Sequence, residues 1–231
     1  MFCSVHKTLF VTGTDTEVGK TLVTAALLAG LRASGLSTAA VKPVAAGAIA
    51  TPEGPRNEDG LMLQQWQTAQ LGYAQVNPVL LQDPLSPHIA AHQEDRRVTA
   101  SQLEGYCRGV MMQRVDRVLI EGAGGWRVPI NDRENLSALP KALEVPVLLV
   151  VGMRLGCLNH ALLSAEAILA DGLQLVGWVA NQVDPAMAQV DANLATLRSR
   201  LPAQCLGFIP WLERPEPAHA SQFLDVSSLL P

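Results

Sequence analysis

With 231 residues, 48% of them hydrophobic and 16% charged, the chain has enough apolar surface for a sizeable core, and intrinsic disorder is excluded. A formal net charge of -4 argues against a nucleic-acid-binding surface, which is normally basic. No stretch reaches the roughly 18 uninterrupted apolar residues of a membrane span, and Met1–Lys7 lacks the basic-then-apolar pattern of an export signal. Cys3, Cys107, Cys157 and Cys205 are widely spaced, without a C-x-x-C pair, so neither a disulfide framework nor a zinc site is expected, and a cytoplasmic protein with reduced thiols is.

In chain order, Lys7–Thr12 is a β-rich run that meets a Gly/Thr-rich loop, Gly13–Gly19. An Ala/Leu-rich helix follows over Lys20–Ala33, with Gly35 as its stop signal, and then a short strand, Thr38–Lys42, closed by Pro43. Residues 46–58 read as a loop, Asp59–Gln70 as a helix, and 76–98, with Pro78, Pro84 and Pro87, as irregular. A helix is expected from Thr99 to about Arg114, and Arg117–Glu121 is a buried-strand pattern ending on a carboxylate and a glycine turn. Val145–Val151 is the clearest central strand. Helix Leu158–Ala170, strand Leu173–Asn181, helix Pro185–Arg200 and strand Cys205–Ile209 complete the pattern. Strands alternating with helices imply right-handed crossovers and a mostly parallel sheet with helices on both faces, with ligands at the carboxyl ends of its strands. The expectation is one α/β domain of the P-loop NTPase type spanning 1–231.

The strongest motif is Gly13-Thr14-Asp15-Thr16-Glu17-Val18-Gly19-Lys20-Thr21. Backbone N–H groups of such a loop cradle phosphate oxygens and the helix start adds a favourable dipole; Lys20 supplies charge to the β- and γ-phosphates and the Thr21 hydroxyl a Mg²⁺ ligand. Five residues separate Gly13 from Gly19 where the usual motif has four, but the strand–loop–helix context supports the assignment. Mg²⁺ takes only one or two protein carboxylates beside phosphate oxygens, and Glu121 and Asp59 are the candidates. Asp59 also reads as an ordinary helix-start carboxylate, and Lys42, at the ligand edge of the sheet, also reads as a solvated strand-end lysine. His88 and His92 stand at i, i+4 without a third ligand of suitable spacing, so no zinc is assigned.

Val41-Lys42-Pro43-Val44, Ser86-Pro87-His88, Glu121-Gly122-Ala123-Gly124-Gly125-Trp126, Gly156-Cys157-Leu158-Asn159-His160, Trp178-Val179-Ala180-Asn181 and Ile209-Pro210-Trp211-Leu212, together with the phosphate loop, resemble the dethiobiotin synthase family over nearly the whole chain. The resemblance implies an ATP- and Mg²⁺-dependent ligase that closes the ureido ring of dethiobiotin from 7,8-diaminononanoate and CO₂, through a carbamate and a carbamic–phosphoric anhydride. It assigns Lys42 and Lys20 as catalytic residues. Glu17, Val18, Gly19, Lys20, Thr21, Asp59, Glu121, Gly122, Ala123, Gly124, Asn181, Gln182, Pro210, Trp211, Leu212 and Glu216 fall at ATP, with Thr21, Asp59 and Glu121 around the metal. Thr16, Lys42, Ala46, Gly156, Cys157 and Asn159 fall at the substrate, the last three serving the neighbouring subunit of a homodimer. Ala46 stands where relatives commonly carry Ser, and Asn193 where an interface tyrosine occurs. The competing readings are a related amide-forming ligase and a partition-type nucleotide switch. The second lysine near the loop start that such switches often carry is absent here, where the positions are Thr12, Thr14 and Thr16. The chain also lacks a terminal basic amphipathic helix for a membrane surface.

Overall fold

The computed structural model describes residues 6–230; Cys3 and the first five residues of Met1–Lys7 lie outside them. The chain runs β1 (Thr8–Gly13), α1 (Lys20–Ala33), β2 (Thr38–Val41), β3 (Val44–Ala46), β4 (Ile49–Thr51), β5 (Gly54–Arg56), α2 (Glu58–Trp66), α3 (Tyr73–Val76), β6 (Val79–Leu81), α4 (Pro87–Gln93) and α5 (Ala100–Met111). It continues through β7 (Arg117–Glu121), α6 (Ala138–Leu143), β8 (Val147–Met153), α7 (Cys157–Ala170), β9 (Leu175–Gln182), α8 (Val190–Arg200), β10 (Cys205–Ile209) and α9 (Pro217–Ala220).

Six strands form the central sheet in the order β10-β9-β8-β1-β7-β2, and every pairing in it is parallel. Successive side chains of a strand point to opposite faces. All seven residues of β8 and all five of β7 are buried, so both faces of the sheet are covered there. This is why these strands read as continuous apolar runs instead of alternating ones. The connection from β1 leads through α1 to β2 on one side, while that from β8 leads through α7 to β9 on the other. Between β1 and β8 the winding reverses, and a crevice opens at their carboxyl ends.

The exposed edge at β2 is sealed by the segment after α2. Gln67 Oε1 accepts from the Ala40 N–H at 2.8 Å and Thr68 Oγ1 from the Thr38 N–H at 2.6 Å. That task ends α2 at Trp66, short of the expected Gln70, because Gln67 must turn into extended backbone. The expected irregular stretch 76–98 instead holds β6 and α4: Val79–Leu81 pairs in parallel with β3, and Pro87 opens α4 at its first turn, where a missing N–H does no harm. The expected loop 46–58 contains the antiparallel hairpin β4–β5. Helix α8 starts at Val190, not Pro185, because Asp184 Oδ1 accepts the Ala186 N–H and Gln189 sits in the left-handed region at φ 56°, both turning the chain first. Helices α3, α6 and α9 and strand β3 had no counterpart in the sequence reading. Among the described residues no helix is long and apolar enough to cross a membrane.

Gly152 on β8 marks the closest approach beneath the β1–α1 loop: a Cβ there would stand 2.6 Å from Val18 Cγ1 and 2.9 Å from Val18 Cβ. Gly152→Ala is expected to cost about 1–3 kcal/mol through overpacking. The urea-unfolding midpoint, compared at constant m-value, measures it.

Candidate active site

The loop between β1 and α1 is pinned at its base by the Thr14 N–H, which donates to Val150 O on β8 at 2.9 Å. Val18 is buried under it, and the chain enters α1 through Gly19 in the left-handed region at φ 81°, where a non-glycine residue is strained. No side chain caps α1, so the N–H groups of its first turn have no capping side chain as a partner. Asn181, at the end of β9, closes the loop from the other side: its Nδ2 donates to Val18 O at 3.0 Å, and a Cβ on Gly19 would meet that Nδ2 at 2.2 Å.

Lys20 is buried, and its Nζ donates to Asp15 O across the loop at 3.0 Å. Burial, and then the neighbouring Lys42 ammonium, lower its pKa to about 8. Asp15 is held in turn by the Thr16 N–H and by the Arg154 guanidinium from the end of β8.

The chemistry-bearing centre lies beside this loop. Glu121, last residue of β7, is fully buried; its Oε1 accepts from Thr21 Oγ1 at 2.8 Å and from Lys42 Nζ at 2.6 Å. Lys42 Nζ also meets Asp59 Oδ2 at 2.8 Å. Burial pulls the Lys42 pKa down, but Glu121 and Asp59 outweigh it and the net shift is upward. Burial likewise pushes Asp59 up, and the Lys42 ammonium reverses this, so the carboxyl stays below its ordinary value. Lys42 is therefore a fixed cation at neutral pH. Asp59 is at once the helix-start carboxylate of α2, its N–H bonded to the Asn57 cap at 3.0 Å, and an ion-pair partner of Lys42. The second oxygen of Glu121, Oε2, is buried without a partner.

A cavity of about 870 Å³ opens from this centre. Thr16, Glu17, Gly19, Lys20, Thr21, Lys42, Ala46, Asp59, Ala123 and Gly124 line it, all of them expected at ATP or substrate. The sequence reading missed the opposite wall, formed by Pro84–Pro87 and by Arg127–Pro129. The signal for the first wall was Ser86-Pro87-His88, quoted above without a role. The second follows the Gly122–Gly125 turn directly. The remaining expected residues lie elsewhere around the loop. Gln182 Oε1 accepts the Trp211 N–H at 3.3 Å, which joins the β9 end to the Pro210–Leu212 segment, and Glu216 caps the start of α9 nearby in the chain. Gly156 and Asn159 are exposed at the start of α7, outside the cavity, while Cys157 is buried beneath them.

Residues 7–219 match the AAA domain family. The chain is 54% identical to an ATP-dependent dethiobiotin synthetase of Pseudomonas aeruginosa over 95% of this chain and 96% of that protein. The corresponding enzyme of Cellvibrio japonicus is 54% identical over 97% of this chain and 98% of its own length, and that of Escherichia coli O157:H7 46% identical over 97% and 100%. Among solved structures, the MinD component of a MinC:MinD cell division complex from Aquifex aeolicus aligns with a TM-score of 0.58 over 96% of this chain and 94% of the other, at 15% identity. The septum site-determining protein MinD of Pyrococcus horikoshii, solved with Mg-ADP, gives 0.55 over 96% and 88%, at 16% identity. These distant likenesses establish a P-loop NTPase fold, whereas identity near one half along the full chain establishes more: the chain belongs to the ATP-dependent dethiobiotin synthetase family.

Proposed function

We propose that the chain joins CO₂ to the diamine of 7,8-diaminononanoate and closes the ureido ring of dethiobiotin, converting ATP to ADP and phosphate. The observation that carries this reading is the buried Lys42 ammonium, held at 2.6 Å from Glu121 and 2.8 Å from Asp59 beside the phosphate loop and lining a cavity of about 870 Å³. One amine and CO₂ form a carbamate. A carbamate oxygen attacks the γ-phosphorus and ADP leaves. The second amine then attacks the carbamoyl carbon, and phosphate departs with the oxygen it took. No step needs a protein nucleophile; positioning and charge neutralisation suffice.

In this reading the backbone of Glu17–Thr21 and Lys20 hold the triphosphate, and Lys42 neutralises charge developing between carbamate and γ-phosphoryl group. Thr21 Oγ1, Asp59 and Glu121 make a hard oxygen donor set with one buried carboxylate oxygen lacking a partner, which fits Mg²⁺. That ion, when bound, supplies charge neutralisation between phosphate oxygens. Asn181, Gln182, Pro210–Leu212 and Glu216 frame the base, and Gly122–Gly124 let backbone come close to the nucleotide. Thr16 and Ala46 border the diamine. Gly156, Cys157 and Asn159 serve the carboxylate of a substrate bound mainly by a second copy of the chain, in a homodimer. Cys107, Cys157 and Cys205 are free thiols, which suits a cytoplasmic setting.

Mass spectrometry of a mixture of protein, diaminononanoate, bicarbonate, MgCl₂ and ATP is expected to show dethiobiotin, and phosphate release is expected to need every component. Release that ignores the diamine would overturn the reading.

Lys42→Met is expected to lower kcat by about 10²–10³-fold with a much smaller effect on ATP-analogue affinity. Alone it also strands the buried Glu121 charge, at a cost of about 3–5 kcal/mol. The double variant Lys42→Met/Glu121→Gln is expected to recover stability and not turnover, as denaturation and kinetics together report.

Because its folded pKa of about 8 lies below the ordinary 10.5, Lys20 detracts from stability while it is charged below that value, and its penalty fades as pH rises from about 8 toward 10.5. A bound triphosphate reverses the shift. Slightly above pH 8, binding of a non-hydrolysable ATP analogue is therefore expected to take up a proton. Calorimetry in two buffers of different ionisation enthalpy shows it as unequal heats, and Lys20→Met removes the difference.

A further inference from the structure

A second cavity, of about 350 Å³, lies outside the active site, between the outer face of α4 and the turn that follows Ile130. Its charged and titratable lining is His88, His92, Arg96, Arg97, Arg133 and Asp132. In a chain with a net charge of -4, the Arg96 guanidinium is paired with Glu94, and those of Arg97 and Arg133, with two imidazoles, stand against Asp132, which leaves the hollow locally basic.

Three features show that this hollow is built and not merely an accident of surface side chains. Arg96 is fixed, its Nη1 donating to Leu80 O at 2.7 Å and to Glu94 Oε2 at 2.9 Å, so it forms part of the wall. The opposite turn is fixed by Asn131, whose Oδ1 accepts the N–H groups of Arg133 and Glu134 at 2.9 and 3.0 Å while its Nδ2 donates to Val98 O at 2.7 Å. His88 Nδ1 is buried in the wall without a hydrogen-bond partner, although buried polar atoms are nearly always paired. Among the described residues Arg97, Arg133 and Asp132 form no ion pair with any side chain. Asp132 thus leaves both arginines uncommitted. Their donors, with the imidazoles, match a small tetrahedral oxyanion in number and kind: guanidinium is suited to paired contacts with phosphate oxygens. The histidine pair does not complete a metal site, since no cluster of three metal-ligating side chains occurs among the described residues.

We propose that this hollow is a binding site for a phosphate-type oxyanion, separate from the phosphate loop, with Arg97 and Arg133 as its main charge partners and the imidazoles of His88 and His92 in its lining. Helix α4 links it to the active site: the same helix that carries His88 and His92 starts at Ser86 and Pro87, which line the active cavity. The proposal does not depend on which reaction the chain catalyses.

The full chain, with its nucleotide site saturated by a non-hydrolysable ATP analogue and Mg²⁺, is titrated with inorganic phosphate and, separately, with ribose 5-phosphate, while long-range ¹H–¹⁵N spectra follow the imidazoles. Saturable shifts of His88 and His92 with either ligand are expected. Response to inorganic phosphate assigns the site to the free ion, and response to the sugar phosphate alone assigns it to a phosphorylated metabolite. R97A/R133A, two exposed positions whose loss leaves the fold intact, is expected to weaken the shift midpoint by about tenfold or more, as loss of charge-assisted contacts does. ATP-analogue affinity is expected to stay unchanged. Histidine signals that ignore both ligands in the wild-type chain, or an equal midpoint in the double variant, would overturn the proposal.

Discussion

One oxygen atom organises the site. Glu121 Oε1, fully buried at the end of β7, accepts both the Thr21 hydroxyl and the Lys42 ammonium. Through Lys42 it also fixes Asp59. Four chain segments, the ends of β7 and β2 and the starts of α1 and α2, are thereby held within hydrogen-bond distance of one another. A buried ion pair is weak as a source of net stability, because desolvation offsets most of its attraction. Its strength here lies in geometry: once Glu121 is out of water, Lys42 has only one arrangement that leaves no charge uncompensated. The other oxygen of Glu121, Oε2, is buried without a hydrogen-bond partner.

The phosphate loop depends on this frame and on two contacts that leave it no room to relax. Gly152 below and Asn181 beside it press on Val18 and Gly19, at distances a Cβ on either glycine could not meet. The loop carries one residue more than the usual motif, and Glu17 and Gly19 both turn in the left-handed region, at φ 58° and 81°. Those two reversals absorb the extra length while keeping Lys20 and Thr21 at the first turn of α1. Strain of this kind persists only where surrounding structure over-determines the backbone. The buried Val18 and the Asn181 amide provide that over-determination.

How much of this was legible in the sequence depended on the range of the contacts involved. The central strands were plain, because a strand covered on both faces leaves an unbroken apolar run such as Val147–Val151, and Gly13–Thr21 was plain because its chemistry is local. Lys42 and Asp59 could not be resolved from position alone: a strand-end lysine and a helix-start acid look the same whether solvated or paired, and the contacts of Lys42 to Glu121, 79 residues away, and to Asp59 separate the cases. The elements that escaped notice are short and stabilised from outside. Strand β6 exists because β3 pairs with it, and α4 is a seven-residue helix that opens on Pro87, after a segment holding Pro78 and Pro84. The late start of α8 was hidden because Pro185 is a good helix opener, and the side chain of Asp184 overrides it.

The two ends of the site differ in completeness, and the difference bears on assembly. Around the phosphate loop, every group the proposed chemistry requires comes from one chain. The start of α7 is the opposite case: Gly156 carries no side-chain cap, Asn159 is exposed, and Leu155 beside them is 96% exposed. An uncapped helix start favours a carboxylate, and a leucine in full solvent favours an apolar partner. Neither faces the cavity of its own chain. In the homodimer proposed above, the α7 start of a second copy would meet the carboxylate end of the substrate. The Arg154–Asp15 pair ties the segment that leads into α7 to the phosphate loop of the same chain.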